Sequence, residues 1–268
     1  APKRFPVERL SRIYEGLYAC ADRYGITVIG GDMSEAPERV SVTVTAVGEV
    51  EAGRALLRSG ARPGDVVFVT GPLGLSAAGL HWMLRGGPQG TEAVPPRGEC
   101  IQGSERWEPG SGEWAPLVAA HRRPEPRVAA GRALLGLAHS LNDVSDGLAR
   151  EAAEIAEASG VRIVLEEAAL PVHADLAAYA AQAGADPLRF LLEGGEDYEL
   201  VGTAPAERAQ ELLAALRACS AEPAIVGTVR EGEPGVELLR PDGSAVPLAR
   251  RGYTHFDGRG GSGNGVSV

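Results

Sequence analysis

Over residues 7–23, apolar side chains recur every three or four positions. Leu10, Ile13, Tyr14, Leu17 and Ala21 fall on one face, which predicts an amphipathic helix. A short apolar run predicts a strand at 26–29. It leads into Gly30-Gly31-Asp32, and Val40, Val42 and Val44 then alternate with Ser41, Thr43 and Thr45, the period of a half-buried strand. A helix is expected to begin over 54–58, with a turn at 59–64. Residues 66–70 form an almost wholly apolar strand that runs into Gly71-Pro72-Leu73-Gly74 and a helix from about Ser76.

Residues 86–113 are rich in Gly, Pro and charge and have no periodicity, so they read as an exposed insertion. Regularity returns with a helix over 126–138 and a strand ending at 141–144. A helix beginning at Gly147 carries Leu148, Ala152, Ile155 and Ala156 on one side. Segments 162–165, 174–181, 198–203, 206–219 and 224–229 then alternate strand and helix. That order predicts an α/β (α+β) fold.

Composition narrows the class. The 268 residues are 44% hydrophobic, enough for one large domain or two smaller ones. A net charge of −10 without a basic stripe argues against nucleic-acid partners. No apolar run approaches a membrane span, and no leader pattern is visible. Cys20, Cys100 and Cys219 are scattered without metal-ligand spacing, which points to a reducing, cytoplasmic setting. Among 26 basic residues Lys3 is the only lysine, so no Gly-Lys-Ser/Thr phosphate loop exists. Any nucleotide must be met by arginines, helix N-termini and carboxylate-held metal.

Three acidic clusters stand beside glycine: Asp32 after Gly30-Gly31, Asp143 and Asp146 before Gly147, and Glu196-Asp197 after Gly194-Gly195. Such carboxylates suit a hard cation such as Mg²⁺. Each could equally be a turn, and Ser145 or Asp146 could simply cap the following helix. The loop at 71–74 between strand and helix is a candidate anion cradle. Arg58, Arg123 and Arg127 have the guanidinium fork that suits phosphate. Tyr253-Thr254-His255-Phe256 could stack on a flat heterocycle or pack on the core.

Taken in order, these motifs resemble the thiamine-monophosphate kinase family of the PurM-like ATP-binding superfamily. The resemblance runs through Ile29-Gly30-Gly31-Asp32, the stretch from Arg54 to Ala61, Gly71-Pro72-Leu73-Gly74 and Arg123-Pro124-Glu125-Pro126-Arg127. It continues through Asp143-Val144-Ser145-Asp146-Gly147-Leu148, the stretch from Gly194 to Leu200, and Gly252-Tyr253-Thr254-His255-Phe256. It implies phosphorylation of thiamine monophosphate to thiamine diphosphate by direct in-line transfer from ATP, without a phosphoenzyme. Asp32, Asp143 and Asp146 would be Mg²⁺ ligands, with Asp143 and Asp146 at the catalytic centre. Tyr14, Gly31, Asp32, Arg58 and Ser145 would meet ATP, and Glu196 and Tyr253 would hold the thiamine moiety. A homodimer is implied for the full-length protein.

The chain begins downstream of the family's Gly-Asp-Asp-type, Thr-Asp and further acidic segments. It is therefore expected to carry the end of a PurM-like N-terminal domain (1–50), a complete C-terminal domain (51–257) with the 86–113 insertion, and a flexible tail (258–268). Leu75 stands where the family usually has Asp, and Met33-Ser34-Glu35 replaces a usual Thr-Thr-Arg/Lys run. Two other readings stay open: another PurM-like ATP-using synthetase, or a catalytically silent nucleotide- or thiamine-phosphate-binding fragment.

Overall fold

The structure, a computed structural model, describes residues 1–85 and 112–248. Its chain divides into two units, residues 1–50 and 51–268. In the first, α1 spans Val7–Tyr24, close to the expected helix, with Ala21 buried. Gly25 ends it in the left-handed conformation (φ 65°), and Ile26 N–H bonds the Ala21 carbonyl at 2.8 Å. The strands expected at 26–29 and 40–45 do not form, and Ile29, Val42 and Val44 are exposed. Alternation marks an apolar face, but a strand exists only where another strand completes its hydrogen bonds.

The second unit is a mixed α/β structure, as the alternation of segments predicts. Its strands are β1 (Asp65–Val69), β2 (Ser140–Asp143), β3 (Arg162–Glu166), β4 (Leu200–Pro205), β5 (Ala224–Arg230), β6 (Gly235–Leu239) and β7 (Ala245–Pro247). They form one sheet in the order β2-β4-β1-β5-β3-β6-β7, antiparallel except for β3 beside β6. The helices are α2 (Leu75–Leu84), α3 (Ala115–Arg122), α4 (Val128–Ala133), α5 (Leu148–Ser159), α6 (Ala174–Ala183), α7 (Pro187–Glu193) and α8 (Ala209–Ala218).

Both faces of the sheet are covered, which explains why β1 reads as a continuous apolar run. Val67 and Val69 pack with Leu148, Ala152 and Ile155 of α5 on one face. Phe68 points the other way, among Leu134, Leu212 and Leu216. A third cluster joins Ala78, Leu117, Leu176, Tyr179 and Phe190 from α2, α3, α6 and α7.

Two expected helices differ. Residues 54–58 are not helical: Leu141 N–H bonds the Leu57 carbonyl at 2.9 Å, so this segment lies along the free edge of β2. The backbone bonds that a helix would use go to the sheet edge instead. The 126–138 helix shortens to Val128–Ala133, followed by turns. Helices α3 and α7 and strands β6 and β7 were not anticipated. Of these, α7 carries a readable signal, because Asp186 caps it by accepting Leu188 N–H at 2.9 Å, with Pro187 at its first position.

Candidate active site

Antiparallel pairing between β2 and β4 places Asp143 opposite Leu200. The pairing continues beyond both strands. Val144 N–H bonds the Glu199 carbonyl at 2.7 Å, Tyr198 N–H the Val144 carbonyl at 2.9 Å, and Glu196 N–H the Ser145 carbonyl at 2.8 Å. The Asp143–Gly147 turn and the Gly194–Tyr198 turn are thereby seated on each other. A Cβ on Gly195 would collide with the Ser145 carbonyl oxygen, so glycine is what allows this approach.

Gly147 (φ 103°) opens α5 as its N-cap, with no side-chain cap bond. Neither Ser145 nor Asp146 caps the helix, contrary to the plain alternative for this turn. The turn is instead organised by Glu151, one turn into α5. Its Oε1 accepts the Asp146 N–H at 3.1 Å and the Ser145 hydroxyl at 3.3 Å, and its Oε2 accepts from Asn142. Burial pushes the Glu151 carboxyl up to about 7, with neighbouring Glu154 adding to the shift. Arg58 reaches the same place, its Nε donating to Asn142 Oδ1 at 2.9 Å and lying 3.3 Å from Glu154. Asp143, Ser145, Asp146 and Glu196 are therefore gathered by one pair of turns, and Arg58 is joined to them through Asn142.

Glu196 (φ 66°) and Tyr198 (φ 54°) both adopt the left-handed backbone region. For non-glycine residues such strain costs on the order of 1 kcal/mol each and tends to mark functional segments. Tyr198 donates its hydroxyl to Glu196 at 3.1 Å. Burial raises the phenol's pKa, and the negative charges of Glu196, Asp143 and Asp146 raise it further. That common influence reports a region of negative potential with oxygen donors, the chemistry a hard cation seeks. Among the described residues no group of three His, Cys, Asp or Glu side chains forms a ready metal cage. Two carboxylates with positions left for water and phosphate oxygens fit Mg²⁺, which is commonly held by one or two carboxylates plus substrate phosphates.

Other expectations are redirected. The cradle at 71–74 is filled from within, because Asp197 accepts the N–H groups of Gly74 at 2.6 Å and Ser76 at 3.1 Å. Asp197 thus serves the glycine loop and is not a second carboxylate beside Glu196. Arg127 gives its fork to Glu199, which also accepts the Thr70 hydroxyl at 2.6 Å, so phosphate is not its partner. Tyr14 lies on α1, and Gly31 and Asp32 follow it in the first unit, where the Asp32 carboxylate accepts the Ser34 hydroxyl at 2.9 Å. Tyr253 falls outside the described residues, as do the tail and nearly all of the 86–113 insertion.

Glu151, Asn142 and Tyr198 were missed as site residues. Glu151 had a signal in the sequence: it is an acid on the apolar stripe formed by Leu148, Ala152 and Ile155.

The sequence profile of the AIR synthase related protein C-terminal domain matches residues 62–238. That of the N-terminal domain matches residues 1–50. A thiamine-monophosphate kinase of Bacillus subtilis (strain 168) is 37% identical over 256 residues, 95% of this chain and 72% of that protein. Among solved structures, AaThiL complexed with AMPPCP and TMP matches with a TM-score of 0.71 at 29% identity, covering 95% of this chain and 71% of that one. The thiamine-monophosphate kinase from Stenotrophomonas maltophilia K279a matches with a TM-score of 0.73 at 26% identity, covering 92% of this chain and 71% of that one.

Proposed function

Because this chain belongs to the thiamine-monophosphate kinase family of AIR synthase related proteins, we propose that it transfers the terminal phosphoryl group of ATP to thiamine monophosphate, giving thiamine diphosphate and ADP. The observation that carries the reading is the seating of the Asp143–Gly147 turn on the Gly194–Tyr198 turn through the Glu196 N–H to Ser145 carbonyl bond. It puts cation-binding and thiamine-binding candidates side by side.

In this reading Asp143 and Asp146 hold Mg²⁺. Such a cation supplies neutralisation of charge on the phosphate oxygens. Arg58 and Ser145 orient the nucleotide. Glu196 offers a carboxylate to the cationic thiazolium, an attraction that strengthens where water is excluded. In-line transfer needs no covalent nucleophile, because positioning and charge neutralisation carry the reaction.

Residues 1–50 and 51–257 act as the N-terminal and C-terminal parts of the catalytic protein. At full length it works as a cytoplasmic homodimer on small-molecule substrates. Among the described residues no helix is long and apolar enough to cross a membrane. The test is turnover: with ATP and Mg²⁺, thiamine monophosphate is converted to thiamine diphosphate, and unrelated phosphate acceptors are not. Calorimetry that shows ATP binding with no ADP released in the presence of thiamine monophosphate would overturn the proposal.

A further inference from the structure

Glu151 lies on the side of α5 that carries Leu148, Ala152 and Ile155, and it is only 2% exposed. A buried carboxylate on an apolar stripe is costly unless its oxygens are satisfied. Here they are satisfied by β2 and the turn that follows it: Ser145 through its hydroxyl, Asp146 through its N–H, and Asn142 through its amide. Asn142 can take only one orientation, with Nδ2 toward Glu151 and Oδ1 toward Arg58 Nε at 2.9 Å. The contacts then return by the outer side of the helix. Arg58 lies 3.3 Å from Glu154, Glu154 lies 3.6 Å from Arg150, and Arg150 lies 3.3 Å from Asp146. With the Asp146 N–H bond to Glu151, these contacts form a closed circuit that joins β2, the turn and the first two turns of α5.

We infer that Glu151, acting through Asn142, is a positioning residue for phosphoryl transfer that holds Ser145 and Asp146 in register with Arg58. The inference rests on the kinase reading above and adds two residues to it. Glu151 touches neither substrate nor phosphate in this scheme. It fixes the separation between the arginine that meets the nucleotide and the turn that faces the transferred group. Packing alone would not require this arrangement, since a leucine could fill the same stripe. What the carboxylate adds is an acceptor for each of three donors from β2 and the turn.

Glu151→Gln tests it, because the volume is kept while the new NH₂ faces a donor and at least one of the three bonds is lost. The expected result is a drop in kcat/KM for ATP of about 10–100-fold, the range seen when groups supporting a ligand shell are removed. The KM for thiamine monophosphate stays unchanged, and the calorimetric dissociation constant for ATP rises. Asn142→Leu, which cuts the link to Arg58 at similar volume, gives the same pattern and serves if Glu151→Gln does not fold. Wild-type ATP kinetics and ATP affinity in a folded variant, or equal changes in both KM values, would overturn the inference. If the wild-type chain binds ATP without transfer, the kinase reading fails and the positioning role is judged on ATP affinity alone. If it binds no ATP, both fail.

Discussion

The carboxylate of Asp197 spans the N-terminus of α2, one oxygen accepting the N–H of Gly74 at 2.6 Å and the other that of Ser76 at 3.1 Å. An internal carboxyl group thus fills the place where the glycine loop suggested an external phosphate. The same bonds hold the residue between Glu196 and Tyr198, both of which have left-handed backbones. A carboxylate serves the fold here so that its neighbours can serve the site.

That relationship makes stability depend on pH. Burial pushes Asp197 up to about 7 from an ordinary value of 3.8, against the opposing effect of the two N–H bonds. The folded state therefore holds this proton more tightly than the unfolded one. The contribution is complete below about pH 4 and is lost as pH rises through about 7, at up to about 1.4 kcal/mol per pH unit. Asp197→Asn cannot titrate, so the Tm of the wild type minus that of the variant should be largest at pH 5 and shrink towards pH 8. A difference that stays constant over that range would refute the assignment.

Arg127 and Glu199 form a bidentate pair whose carboxylate is buried, with Thr70 as the third partner. Arg127→Ala leaves that charge unpaired and should cost about 3 kcal/mol or more in denaturant unfolding. Arg127→Ala together with Glu199→Gln should recover part of the loss. No recovery would mean that the arginine acts elsewhere.

Gly195→Ala inserts a methyl group against the Ser145 carbonyl and forces the two turns apart. We expect a loss of about 1–3 kcal/mol in stability and a fall in turnover larger than unfolding at the assay temperature explains. Activity that simply tracks the folded fraction would show that the seating of the turns is not needed for transfer.

Asp143→Asn and Asp146→Asn should each lower kcat for thiamine diphosphate formation by roughly 100-fold or more. Both side chains are only half-buried, so stability should change by no more than about 0.5 kcal/mol. The concentration of Mg²⁺ needed for half-maximal rate should rise in both, and chelation should silence the wild type. Wild-type turnover in either variant would remove it from the metal-binding set.

Short-range pattern made α1, α5, α6, α8 and β1 to β5 legible, because helix and sheet periods are written into consecutive residues. The same reasoning failed for 40–45 and 54–58. In each, the state of the backbone depends on what lies beside it: the first lacks a ladder partner, and the second is drawn to the edge of β2.

Residue types and their order were enough to single out the acidic turn at 143–147, the Glu196 loop and Arg58, and to mark the family they resemble. Sequence alone left open which of several similar groups faces outward. Asp197 and Arg127 were as eligible as Glu196 and Arg58 until folding gave them Gly74, Ser76 and Glu199 as partners. Glu151 joined the site only when α5 carried it back under the turn that precedes it. Chain order fixes which chemistry is present. The partner each charge finds when water is withdrawn is decided in three dimensions, because a buried carboxylate or guanidinium must be satisfied by whatever the fold places within reach.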